Sequence, residues 1–186
     1  MLLSRSLKSV ALGCAVLLAG CDRESGGQAQ PQASSAASVK AGAIDRSRKG
    51  SQMPDFQLKD PAGKKLNLAS LKGKPVLINL WATWCAPCVA ELPQLNQLAA
   101  GNPGIKVLTV NQDMDKLDRV APFLAQKGGT SLEPWLNPDN ALAFQFGAET
   151  LPATVYYDAQ GREVWRVLGE RNWISEDTKA LLAEAE

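Results

Sequence analysis

The sequence predicts an α/β domain built on a mixed sheet with helices on both faces, and three observations carry that prediction. The run Pro75-Val76-Leu77-Ile78-Asn79-Leu80-Trp81 reads as a buried strand, and a helical pattern follows it to about Ala100. Ile105 to Val110, rich in β-branched residues, reads as a second strand with a helical stretch behind it. The chain then closes with a strand, a turn, a strand and a last helix. Strand and helix alternating in this way call for a sheet covered on both sides.

Taken in order, the elements begin after a long preamble. Arg5 and Lys8 give a short positive stretch and Val10 to Ala19 an apolar one. That stretch is too short to span a bilayer, which takes about 20 apolar residues. It reads as a secretory leader covering residues 1–20. Residues 21–50 are dominated by Gln, Ala, Ser and Gly with almost no large apolar side chain. Such a segment cannot bury enough surface to offset its ordering entropy and reads as a flexible tether.

The domain is expected over residues 51–186. Pro54 to Leu58 and Lys65 to Leu68 alternate apolar and polar around a turn at Asp60-Pro61-Ala62-Gly63, which predicts a β-hairpin. The central strand follows, then the helix to about Ala100, which Pro93 should kink. After the Ile105–Val110 strand, Asp115 to Lys127 reads as a helix, with Leu117, Val120, Ala121 and Leu124 on one face. Gly128-Gly129 stops it. Trp135 to Phe146 holds a short strand or turn and then a helix begun near Asp139-Asn140. Ala153 to Tyr157 and Glu163 to Leu168 pair across the turn Asp158-Ala159-Gln160-Gly161. Ser175 caps a final helix to Ala185.

Composition narrows the chemistry. Of 186 residues, 20 are Lys or Arg and 19 are Asp or Glu, so there is no basic footprint for nucleic acid. No histidine occurs anywhere in the chain, which excludes Ser-His-Asp and Cys-His catalysis. It also removes the commonest nitrogen ligand for a metal. Of the four cysteines, Cys14 and Cys21 lie in the preamble, leaving Cys85 and Cys88 alone in the domain.

Those two occupy Trp84-Cys85-Ala86-Pro87-Cys88, where the central strand gives way to a helix. A CxxC there reads as a redox dithiol. Cys85 at a helix N-terminus meets unpaired amides and the positive end of the helix dipole, which favour the thiolate. Cys88 comes one turn later on the same side, and Pro87 restricts the backbone between them. Cys85 should therefore exchange with a partner and Cys88 should resolve. A purely structural disulfide over so short a loop would add little stability. A metal site would need more ligands than two thiols.

Three stretches carry resemblances to known families. Leu18-Ala19-Gly20-Cys21 resembles the bacterial lipobox, which implies acylation of Cys21 as a lipid anchor. Asp22 resembles the signal that retains Gram-negative lipoproteins in the inner membrane, which implies a domain facing the periplasm. A leader cut near Gly20 that leaves an unmodified Cys21 stays open. Finally, Met53 to Phe56, Leu68 to Gly73, Asn79 to Cys88, Glu91-Leu92-Pro93 and Leu151-Pro152 together resemble the TlpA/ResA/DsbE branch of the thioredoxin superfamily.

That resemblance implies a thioredoxin fold with the hairpin near residues 56–68 added at its N-terminal side. It implies a thiol:disulfide oxidoreductase needing no cofactor, usually a reductant of particular protein disulfides. The expected clients are apocytochrome c thiols or copper-site cysteines, and the expected electron donor is a membrane protein of the DsbD/CcdA kind. Cys85 matches the nucleophile and Cys88 the resolving thiol. Pro152 matches the family's cis-proline, with Leu151 offering backbone to a substrate strand. Glu91 matches an acidic residue whose raised pKa could let it take the proton Cys88 must lose. Asn79 stands where cytoplasmic thioredoxins bury an aspartate. Trp84 is expected to cap the dithiol, and Trp135, Trp165 and Trp173 to serve packing. A disulfide oxidase or isomerase is the alternative. A peroxiredoxin would want threonine at Ala82, and a copper chaperone of the Sco type would want CxxxC and a histidine.

Overall fold

The computed structural model describes residues 42–185, so the leader, Cys21 and most of the tether lie outside the described residues. The centre of the fold is β4 (Val76–Trp81), all six of whose residues are buried. A strand covered on both faces reads as a continuous apolar run, as this one does. It pairs in parallel with β5 (Lys106–Asn111) on one side and antiparallel with β7 (Ala153–Tyr157) on the other.

The remaining strands extend the sheet to eight among the described residues, in the order β1-β8-β7-β4-β5-β6-β2-β3. On one wing β8 (Glu163–Leu168) pairs antiparallel with β7, and β1 (Ile44–Asp45) closes the edge. On the other, β6 (Pro134–Leu136) runs parallel to β5. There the hairpin of β2 (Gln57–Lys59) and β3 (Lys65–Asn67) is appended through Lys59 opposite Leu136. The Asp60 carboxylate organises the turn by accepting from the Ala62 and Lys64 amides.

The alternation of side chains along β4 sorts the core into two halves. Leu77 and Trp81 pack with α1 (Ala86–Gly101), with Val120 and Leu124 of α2 (Val120–Gln126), and with Leu182 of α4 (Glu176–Leu182). Val76, Ile78 and Leu80 face the other way, onto Leu142 and Phe146 of α3 (Ala141–Phe146) and onto Leu58. On α1 the buried positions are Cys88, Glu91, Leu92, Leu95 and Leu98, a single stripe at helical spacing. Each leucine of that stripe contributes roughly 1.5–3 kcal/mol by leaving water. One member of the stripe is a carboxylic acid. The helix runs on through Pro93 to Gly101 as one element.

Three boundaries differ from expectation. Part of the expected tether belongs to the fold: β1 pairs with β8, and the Gly50 amide donates to the Glu163 carbonyl at 2.7 Å. Two residues of pairing leave no periodic signal in sequence. The helix expected over 115–127 is a 3-10 turn at Leu117–Arg119 followed by α2, because Lys116 sits in the left-handed region at φ 53° and ends helical continuity there. The last helix ends at Leu182 and tightens into a 3-10 turn over Ala183–Ala185. Ser175 caps it as expected, its side chain accepting from the Thr178 amide.

Candidate active site

Parallel strands β4 and β5 end on the same edge of the sheet, and antiparallel β7 begins there, with Leu80 opposite Ala153. That register puts Pro152, one residue before β7, beside the turn leading out of β4. The sheet edge thus gathers Cys85 and Cys88, the Asn111–Asp113 segment and the Leu151–Pro152 peptide, which is cis.

Cys85 is the N-cap of α1, with extended backbone at φ −88° and ψ 97°, and its sulfur accepts from the Cys88 amide at 3.4 Å. The two sulfurs form a disulfide with Cα atoms 5.3 Å apart. Cys85 is 6% exposed and Cys88 only 1%, so the first is the sulfur a partner can reach. The Cys88 amide, in the first turn of α1, will help hold the Cys85 thiolate once the bond is reduced.

The approach to α1 is pinned from β5. The Gln112 amide donates to the Trp81 carbonyl at 2.8 Å, and Asp113 accepts from the Thr83 amide at 3.1 Å. Asn111 accepts in turn from the Asp113 amide. This buried Asn-Gln-Asp segment has no counterpart in the sequence reading, although three polar residues ending an apolar strand were the available signal.

Under the disulfide lies Glu91, one turn past Cys88 and 3% exposed. Burial pushes its pKa up from 4.5 to about 7, against the opposing pull of an amide hydrogen bond from Arg171. Asn79 and Trp173 also face the carboxyl and draw the pKa down, while the charge of Glu170 adds to the rise. Asn79 is itself tied across the sheet, its Nδ2 donating to Thr154 Oγ1 at 3.0 Å. A carboxyl poised near neutrality one helical turn from Cys88 can take up and return a proton at working pH.

The other expected positions divide. Leu151 is half-buried against both halves of the core, and Pro152 accepts from the Gly169 amide at 2.8 Å. Trp84, expected to cap the dithiol, is 71% exposed. Its ring stands at a groove of about 450 Å³ shared with Gln112, Met114, Ala148 and Leu151. A loop tip at the sheet edge has nothing above it to receive an indole. Trp135 and Trp165 are core residues, the latter donating to the Leu181 carbonyl. Trp173 is buried as well, but against Glu91, so its part is not packing alone.

A dithiol at a helix N-terminus, a cis-proline across the sheet edge and a buried acid beneath define a thioredoxin-fold thiol:disulfide oxidoreductase. Residues 48–182 match the Redoxin family model, and the chain belongs to that family. It is 35% identical over 140 residues to the thiol:disulfide interchange protein DsbE of Vibrio cholerae, covering 73% of each chain. With the thiol-disulfide oxidoreductase ResA of Bacillus thuringiensis it shares 30% over 124 residues, 66% of this chain and 70% of that one. Among solved structures, a Chlorobium tepidum protein assigned as DsbE superposes with a TM-score of 0.66. That pair is 28% identical, over 74% of this chain and 96% of the other. The chain is a thiol:disulfide oxidoreductase of the DsbE and ResA type with a Cys-X-X-Cys pair, Cys85 and Cys88.

Proposed function

We propose that this chain is a membrane-tethered reductase of particular protein disulfides, acting on the periplasmic face of the inner membrane. The observation that carries it is the buried Glu91 carboxyl under the Cys85–Cys88 pair. The lipobox-like Leu18 to Cys21 supports an anchor on Cys21, and the part of residues 21–50 that precedes β1 a tether. Among the described residues, no helix is long and apolar enough to cross a membrane.

In the reduced enzyme the Cys85 thiolate attacks a client disulfide, forming a mixed disulfide and releasing one client sulfur. Cys88 then gives its proton to Glu91 and attacks the Cys85 sulfur. The second client sulfur leaves as a thiolate, the client gains two electrons and the enzyme loses them. Reversal of the proton transfer, from Glu91 to the Cys88 sulfur, serves re-reduction by a donor of the DsbD/CcdA kind. The domain holds no third cysteine, so both exchanges are intermolecular. Leu151, whose amide and carbonyl make no backbone hydrogen bond among the described residues, offers edge backbone to the client strand. Apocytochrome c thiols and copper-site cysteines are the client classes this reading favours, because both must be reduced before they bind their metal centre.

Cys88→Ala in the full chain tests the reading by halting it at the mixed disulfide. One or a few periplasmic proteins bound through Cys85 are the expected result, and mass spectrometry identifies them. A broad population of unrelated partners, with a potential near about −120 mV and not about −270 mV, would establish an oxidase or isomerase in its place.

A further inference from the structure

Beneath the active site two buried polar atoms confront each other without partners. Glu91 Oε1 accepts from the Arg171 amide, whereas Oε2 has no hydrogen-bond donor. The Trp173 indole Nε1 has no acceptor. Trp173 is 1% exposed, and its side chain is close enough to pull the Glu91 pKa down. An unmet polar group in such a place is costly, so a buried donor beside a buried acceptor marks the two as partners for each other.

The segment carrying both donors is held rigidly. The Trp173 amide donates to Gln94 Oε1 on α1 at 2.8 Å. The Asn172 carbonyl accepts from Thr178 Oγ1 at 2.7 Å and Ser175 Oγ at 2.9 Å. The Arg171 side chain is committed elsewhere, to Thr178 Oγ1 and Asp177, so that residue reaches Glu91 through its backbone. Around the carboxyl stand Asn79 from β4, Cys88 from α1, and Glu170, Arg171 and Trp173 from the segment after β8. Glu170 acts on Glu91 through its charge and opposes ionisation, whereas Arg171 acts through its backbone amide.

We propose that Trp173 is a positioning residue for the resolving step, its indole N–H donating to Glu91 Oε2 when the carboxyl is ionised. With the Arg171 amide on the other oxygen, the two donors form a clamp that holds the carboxylate ready for the Cys88 proton. When the proton arrives the anion is gone and the indole bond loosens. The inference rests on the proton-accepting role of Glu91 proposed above.

The test follows decay of the mixed disulfide in the reduced full chain after mixing with oxidised glutathione, over about pH 5 to 9. Trp173→Phe keeps the ring and deletes the donor, so Glu91 ionises less readily. The midpoint of the resolving rate is expected to rise by about one pH unit, the size of a lost hydrogen bond to a charged group. The initial attack by Cys85 should change less than twofold, roughly the spread of remote effects. In a Glu91→Gln background, Trp173→Phe should have no further effect. An unmoved midpoint, with Glu91→Gln still abolishing the pH dependence, overturns this inference alone. If Glu91→Gln leaves the pH dependence intact, the role of Glu91 itself fails. Should Trp173→Phe not fold, the native chain still decides. Its Trp173 indole N–H resonance must titrate with the Glu91 carboxyl carbon, and a static resonance refutes the clamp.

Discussion

The Arg171 amide donates to Glu91 Oε1 across 80 residues of sequence, joining the segment after β8 to the inner stripe of α1. Without that donor the buried acid would stand higher still, because hydrogen bonding to the charged form is what opposes desolvation here.

Stability should therefore depend on pH in a window where few carboxyls act. Glu91 titrates near its ordinary 4.5 in the unfolded chain and at about 7 in the folded one. A raised carboxyl leaves stability unaffected below the unfolded value and lowers it as pH rises through the folded value. The loss between those limits is on the order of 3 kcal/mol. Asp45, Glu133, Asp158 and Asp177 have lowered values and act in the opposite sense, at the acid end. Urea unfolding of the disulfide form should show a decline from about pH 4.5 to 7 that Glu91→Gln removes. An equal decline in both proteins would refute the burial argument.

Trp84 is exposed at the groove beside Cys85, so its contribution is to contact and not to the core. Trp84→Ala is expected to leave unfolding free energy within about 0.5 kcal/mol of the parent. The same change should weaken capture of clients by the Cys88→Ala trap about tenfold, as loss of an aromatic anchor does. Unchanged capture would remove Trp84 from the client surface.

Glu163 and Arg166 form a buried two-pronged pair on β8, with both bonds at 2.6 Å. A third Arg166 nitrogen caps the Phe146 carbonyl at the end of α3. Glu163→Ala strands a buried guanidinium and should cost about 3–5 kcal/mol in urea unfolding. Replacing both residues with apolar ones of similar size should cost much less. Equal losses in the two variants would mean that the pair itself, and not the stranded charge, carries the stability.

Glu91 and Pro152 became candidates only through resemblance to a known family. The sequence by itself determined the order of the main elements, the central strand and the CxxC at a helix start. These are local facts, carried by side-chain periodicity, Gly-Pro punctuation and the spacing of two thiols. Tertiary structure decided what depends on residues far apart in the chain. It paired Ile44–Asp45 with β8, where Gly42 at φ +77° approaches the Glu170 carbonyl too closely for a Cβ. It left Trp84 exposed and buried Trp173 against Glu91, two fates that identical indoles cannot announce. It set the acidity of Glu91, since desolvation and the donors that oppose it come from three separate elements brought together only by folding.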